Sequence, residues 1–293
     1  MEHFLSKPQN FSFRNTIYSH GWSELAPFSL DTERWELSYV FGGGTAKPVF
    51  GTISDTGEKI KVTLKGAKLS SGRLSQIVSE TQRILRFDED LSEFYQITKE
   101  YPDFTWLGNS GTGRLLRSAT VFEDLIKTVC TTNCSWSLTK IMVNNLVEKL
   151  GTATAQGKRA FPTARAMASV DEEFYRNEIR AGYRAPYFVE LSRSIAAGSV
   201  DPEKWLTSEI STEDLKKEMK KLKGVGDYAA ENLLKLVGRY DGLALDSFLR
   251  SEFRKRHNGD KICADKKIIN FYKKFGKWRG LAIWFDMTRR YFE

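Results

Sequence analysis

The segment Leu222-Lys223-Gly224-Val225-Gly226-Asp227-Tyr228-Ala229-Ala230, followed by Leu245-Asp246-Ser247, constrains this chain more than any other. Ahead of it, the stretch from Thr212 to Lys221 opens with a Ser/Thr cap and acids in the first turn, a helix start. Behind it, Ala229, Ala230, Leu233, Leu234 and Val237 recur with helical spacing and stop at Gly238. Two helices, spanning about 213–238, are therefore joined by a very short loop. Its two glycines admit close backbone approach, and the first N–H groups of the second helix point outward, where a phosphate can bind. The alternative is a glycine-stopped hairpin that only packs.

Charge favours the first reading. Lys216, Lys217, Lys220, Lys221 and Lys223 surround the loop, in a chain of 293 residues with net charge +8. Between Ser251 and Gly280, ten lysines and arginines face only Glu252, Asp260 and Asp265. Basic runs are commonly solvated faces, but charge beside a phosphate-shaped loop points to a polyanion. No apolar run reaches the roughly 18 residues of a membrane span, and Met1-Glu2-His3-Phe4-Leu5 opens no signal peptide, so a soluble intracellular protein is expected. The cysteines, Cys130, Cys134 and Cys263, are too few for a disulfide framework or a four-cysteine cluster. With His3, His20 and His257 the only histidines, no zinc set assembles, and no metal ligand is expected.

The first third reads as strands, then helices. Residues 35–41, 48–54 and 59–64 alternate as strands, with a hairpin turn at Asp55-Thr56-Gly57-Glu58 and a glycine turn or mobile loop at 42–44. The period becomes helical at 72–87 and 91–101. A glycine-rich junction at 104–113 is the expected domain boundary. It divides the chain into 1–112, an antiparallel sheet with helices, and 113–293, a helical domain. Within the latter, 121–150 should form two helices broken at Thr131-Thr132-Asn133-Cys134-Ser135. Phe161-Pro162-Thr163 opens another helix, and Ala181-Gly182-Tyr183-Arg184 is a turn. The fold class is α+β, mainly α-helical.

With these segments in this order, the chain resembles the helix-hairpin-helix DNA glycosylases, over roughly Gly113 to Glu293. The N-terminal strands are similar, more loosely, to the small sheet domain of the 8-oxoguanine and inducible 3-methyladenine branches. The resemblance implies double-stranded DNA carrying a damaged base as partner. It also implies a monomer located with the DNA, and base excision as the activity. No cofactor is implied; a monovalent cation at the hairpin carbonyls is the one ion left open.

The resemblance puts the catalytic carboxylate on Asp246. Cleaving an N-glycosidic bond builds positive charge on the deoxyribose, which a fixed carboxylate stabilises. Asp246 also precedes a helix, where an N-cap is favoured, and the two roles can coexist. Lyase members carry a lysine just after the hairpin glycines; this chain has Tyr228, which cannot form an imine. A monofunctional enzyme is therefore expected, with Tyr228 against the extruded base or in the hairpin core. Lys223 and Lys235 lie near enough to the loop to serve instead, but near phosphates they should stay protonated.

Gly224, Gly226 and Lys223 are the expected phosphate contacts. Asn133 matches the residue that fills the space left by the flipped nucleotide, or is a local cap. Tyr183 and Arg184 match a Tyr-Arg wedge beside the unpaired base, or are a turn aromatic and a solvated arginine. Trp278, Trp284 and Phe285 line the base pocket or belong to the core. Leu138 and Leu281 replace polar residues that read the opposite cytosine and the oxidised guanine. An apolar, aromatic pocket suits cationic alkylated purines of the 3-methyladenine type. Deaminated or oxidised bases, and a non-catalytic DNA-binding repair protein, are the alternatives.

Overall fold

The computed structural model describes residues 1–42, 47–66 and 69–292; Gly43 and Gly44 of the expected glycine turn lie outside them. Five strands occur, β1 Glu2–Ser6, β2 Ser29–Asp31, β3 Glu36–Phe41, β4 Val49–Asp55 and β5 Lys59–Lys65. The helices up to the middle of the chain are α1 Phe13–Ile17, α2 Ser71–Ile84, α3 Ser92–Lys99, α4 Trp106–Asn109, α5 Val121–Thr131 and α6 Trp136–Leu150. Then come α7 Ala164–Ala168, α8 Glu172–Asn177, α9 Ala185–Ala196, α10 Thr212–Lys220, α11 Asp227–Leu236, α12 Ser247–His257, α13 Asp265–Tyr272 and α14 Arg279–Thr288. No helix among the described residues is long and apolar enough to cross a membrane.

Two compact units interleave in sequence: Met1–Asp88 with Arg114–Trp205, and Glu89–Gly113 with Leu206–Glu293. The crossing at 113/114 falls beside the expected boundary, but those at 88/89 and 205/206 do not. The reason lies in the core of the first unit. Its antiparallel sheet, in the order β1-β5-β4-β3-β2, is bonded to α5 through β3. Trp22 Nε1 donates to Asp124 at 2.8 Å, and Tyr39 Oη donates to Glu123 at 2.6 Å. The backbone N–H of Leu116 donates to Ser19 Oγ at 2.9 Å. Polar groups this deep must be hydrogen-bonded, and these bonds fasten the segment after 114 to β3 and to the stretch 19–22 ahead of β2.

β3, β4 and β5 follow the alternation in the sequence, with Ile53, Ile60 and Val62 at 1% exposure or less on the inner face. The turn forms as expected: Asp55 Oδ1 accepts the Gly57 N–H at 2.8 Å, and Thr56 N–H donates to the Lys59 carbonyl at 2.9 Å. The edge strands β1 and β2 escaped the sequence. β1 buries only Leu5 and β2 buries nothing, so neither leaves an alternating pattern to read. α5 and α6 are separated where expected, with Ser135 capping α6 through the Leu138 N–H.

The second unit packs α3 against the C-terminal helices. Trp278 lies between Phe94, at 5.7 Å, and Tyr240, stacked at 5.5 Å. The last segment, 275–285, is not one helix. Gly276 has φ +55°, so a tight turn ends at Trp278 and α14 begins at Arg279.

Candidate active site and nucleic-acid interface

In the second unit, α10 and α11 form the expected hairpin. Ser211 caps α10 through the Asp214 N–H at 3.1 Å, and Val225 packs inward at 4% exposure. Gly224 turns the loop with φ +86°, a conformation that penalises any Cβ. Gly226 is the N-cap of α11 in extended backbone without a side-chain cap bond, and its α-carbon faces open space. The first N–H groups of α11 therefore have no intrahelical acceptor.

The lysines around this loop are less available than their number suggests. Lys216 reaches Glu231 at 2.6 Å and Asp227 at 3.1 Å, and Lys220 reaches Asp227 at 3.0 Å. Lys217 pairs with Asp214 at 3.0 Å, and Lys221 with Glu218 at 2.5 Å. The hydrogen bonds from Lys220 and Lys216 hold the Asp227 carboxyl below its ordinary range. Each pair is a surface pair of small worth, so a phosphate can compete for the lysines.

Asp246 stands at the end of the connection from α11 to α12. It is half-buried, and its Oδ1 accepts the Leu249 N–H at 2.8 Å, so the carboxylate does cap α12. The connection is gripped from two sides. From α14, the Gly280 N–H donates to the Tyr240 carbonyl at 2.8 Å, and Arg279 Nε donates to the Asp241 carbonyl. A Cβ on Gly280 would lie 2.1 Å from the Gly242 carbonyl oxygen, so only glycine lets α14 approach this closely. From α11, Lys235 Nζ donates to the Leu243 carbonyl at 3.1 Å, and a Glu231 oxygen accepts the Ala244 N–H. One peptide, 243–244, is thus held at both its polar atoms by two side chains a helical turn apart. Ala244 has φ +51°, a left-handed conformation that a non-glycine residue keeps only under constraint.

Lys235 is 2% exposed, and its Nζ lies 5.9 Å from the centre of the Trp284 ring. Burial pulls its pKa down to about 8, against the opposing pull of Glu231 and Asp246. Lys235 thus remains mostly protonated at pH 7, as expected, but with a far smaller margin than a solvent-exposed lysine. Its burial is what the sequence did not convey, although a lysine directly after Leu233-Leu234 on an inward face is a usable sign. Glu231 and the Ala244 conformation left no such sign.

Tyr228 is 37% exposed and borders a cleft of about 310 Å³ with Glu231, Leu243, Leu245 and Arg250. Of the C-terminal aromatics, Trp284 is half-buried, whereas Phe285 has no exposed surface and Trp278 is taken up by its aromatic stack. Trp278 and Phe285 are therefore core residues, the second of the two readings; Leu281 is likewise fully buried.

In the first unit, Asn133, Tyr183 and Arg184 come together. Asn133 is exposed with φ +45° in the break between α5 and α6. Arg184 is not a solvated side chain: at 3% exposure it donates from Nε to Thr132 Oγ1 at 3.2 Å and from Nη2 to the Thr132 carbonyl. Its guanidinium also lies 4.5 Å from the centre of the Tyr183 ring. Tyr183, 47% exposed, donates from Oη to the Thr132 carbonyl at 3.3 Å. Arg184 thus fixes the turn that presents Asn133 and Tyr183. Leu138 is half-buried on α6. Burial pushes the Cys130 thiol up to about 12, an unreactive group, and Cys134 is half-buried beside it. Among the described residues no group of three or more His, Cys, Asp or Glu is placed to hold a metal ion.

No family model matches the chain, and no curated protein is similar to it at a significant level. Solved structures are similar over its whole length. The 3-methyladenine DNA glycosylase of Archaeoglobus fulgidus shares 17% identity at a TM-score of 0.77, covering 100% of this chain and 99% of its own. A Clostridium acetobutylicum 8-oxoguanine glycosylase/lyase in complex with DNA shares 19% identity at a TM-score of 0.73, covering 99% and 97%. A Schizosaccharomyces pombe 3-methyladenine DNA glycosylase in complex with abasic DNA shares 20% identity at a TM-score of 0.53, covering 68% and 96%. At these identities the likeness is one of fold, and the fold is that of the helix-hairpin-helix DNA glycosylases, with the small N-terminal sheet included.

Proposed function

We propose that this chain is a monofunctional DNA glycosylase of base excision repair, acting as a monomer on double-stranded DNA and releasing alkylated purines of the 3-methyladenine type. The observation that carries the reading is Asp246, a carboxylate at the end of a doubly gripped connection directly after the hairpin. The bond between the base nitrogen and the sugar C1′ breaks, its electron pair leaving with the base. The cationic character left on the sugar is stabilised by Asp246, and a water oxygen adds at C1′ as its proton passes to the carboxylate. Tyr228 supplies no amine, so the product is an intact strand with an abasic site. The open N–H groups of α11, with Gly224, Gly226 and Lys223, hold phosphate, and any monovalent cation there would sit at the loop carbonyls.

The test is incubation with duplexes carrying single defined lesions, followed by alkali, which breaks the strand only where a base was lost. Alkali-dependent breaks at 3-methyladenine-type lesions are expected, and no break at any lesion would sink the reading. One observation favours a second reading within the same enzyme class, a neutral oxidised or deaminated base. Lys235 already places an ammonium near Trp284, which repels a second cation from that ring. Breaks at neutral lesions alone would decide for it.

A further inference from the structure

We propose that Lys235 is a positioning residue for Asp246, acting through the 243–244 peptide that it grips together with Glu231. The proposal rests on the glycosylase reading for its consequence in catalysis, and on geometry alone for the grip.

Glu231 and Lys235 lie on one face of α11, the face that begins with Tyr228. A Glu–Lys pair at this spacing ordinarily closes on itself. Here it opens around a peptide: the carboxylate takes the Ala244 N–H and the ammonium takes the Leu243 carbonyl. Glu231 is braced from behind by Lys216 of α10 at 2.6 Å, so the hairpin helix and the connection share one chain of contacts. Gly242 lies against the same side chain, since a Cβ there would come within 3.0 Å of Glu231 Cγ. The grip keeps Ala244 in its left-handed conformation, which sets where the chain enters Asp246 two residues on. Free of both side chains, Ala244 would relax to a negative φ and carry the carboxylate with it.

The grip is also conditional. A neutral amine makes a weaker hydrogen bond to the Leu243 carbonyl than an ammonium does. The charged groups facing Lys235 are Glu231 on its own helix and Asp246 on the connection; α14 contributes the uncharged Trp284 ring. Both acids favour the proton and burial opposes it, leaving the pKa at about 8. Base release should therefore decline on the alkaline side near that value, well before solvent-exposed lysines titrate.

The experiment combines single-turnover base release from pH 6 to 9.5, on a lesion that does not itself titrate, with amide hydrogen exchange of the 240–246 segment. Lys235→Met keeps the volume and removes the donor. It should slow release about 30-fold at pH 7, leave damaged-duplex affinity unchanged, lose the alkaline decline, and speed exchange at 240–246 about tenfold. Glu231→Gln keeps an acceptor for Ala244 and removes the charge facing Lys235. Its alkaline decline should move to lower pH by about one unit, a shift that a merely structural role would not produce. If Lys235→Met does not fold, that shift decides. Wild-type rate with an unmoved alkaline decline in either variant, or unchanged exchange at 240–246 in Lys235→Met, overturns the proposal. A wild-type protein that releases no base from any lesion defeats the glycosylase reading, and the exchange rates then judge the grip.

Discussion

The two units carry the same short sequence device and use it in opposite ways. In the first, Glu123 and Lys127 are four residues apart on α5, both within 3% exposure, and bond to each other at 2.6 Å. Tyr39 donates to Glu123 at 2.6 Å, while Phe28 and Phe161 face the Lys127 ammonium at 4.7 and 5.7 Å. In the second, Glu231 and Lys235 have the same spacing and a comparable aromatic neighbour, yet they hold the two ends of a peptide. Spacing alone therefore does not tell a structural ion pair from a clamp. What differs is the neighbour: α5 packs under the sheet, where β3 already pairs with β4, whereas α11 faces a connection with peptide groups to satisfy.

Several measurements would break or sharpen this contrast, and the largest effect belongs to Asp246. Asp246→Asn keeps an acceptor for the Leu249 N–H but loses the charge, so base release should fall by about a thousandfold while damaged-DNA affinity survives. Near-normal single-turnover release would remove Asp246 from the chemistry and leave the clamp with nothing to position.

Lys127→Met comes next. Burial already raises the pKa of Glu123, with Lys127 opposing that rise, so removing the ammonium strands a buried acid. A loss of about 3–5 kcal/mol in chemical denaturation is expected, with unchanged activity per folded molecule. Lys235→Met should behave in the reverse manner. Burial lowers the pKa of Lys235 from 10.5 to about 8, so its protonated form costs stability below that pH. The wild type should gain stability between pH 8 and 10.5, and the variant should lack that gain. Parallel unfolding curves for the two variants would erase the distinction between the pairs.

His20 offers a third comparison. It sits within 2.5 Å of the Leu116 carbonyl in the first unit, and burial lowers its pKa to about 4. A folded pKa below the ordinary 6.5 means stability present above pH 6.5 and lost as pH falls toward 4. His20→Gln should flatten that acid dependence, worth roughly 3 kcal/mol, without touching the alkaline decline in base release.

The smallest effect is expected at the hairpin. Gly226 has ordinary extended backbone and open space where a Cβ would go, so Gly226→Val should leave unfolding unchanged. Binding to damaged and undamaged duplexes should weaken alike, about tenfold, because phosphate contacts do not read sequence. Loss confined to damaged DNA would move the loop into the lesion pocket.

Much of this arrangement was legible in the sequence, for identifiable reasons. The hairpin, the cap at Asp246 and the break at Asn133 rest on local signals of glycine, capping residues and hydrophobic spacing, and each formed where expected. For Trp278 and Phe285 helical spacing left pocket and core both open, and their burial supports the core alternative. Arg184 was expected at the surface; its burial depends on a carbonyl at Thr132, 52 residues away. The Glu231–Lys235 clamp spans only 8 and 13 residues but depends on the left-handed turn at Ala244, and the exchange of segments depends on contacts far more remote. Neither leaves a local pattern.

That exchange of segments also bears on how the protein is made. The second unit takes 89–113 from the middle of the chain and everything after 205 from its end. During synthesis, Glu89 and α3 emerge early yet must wait for their partners Tyr240 and Trp278, which follow only after residue 205. The first unit can close once residue 205 is out, holding the early segment as a loop tethered at 88 and 114. A stop codon anywhere in the final helices would therefore leave not a slightly shortened protein but a finished sheet unit carrying a loop without its packing partners, a ready target for chaperones and proteases.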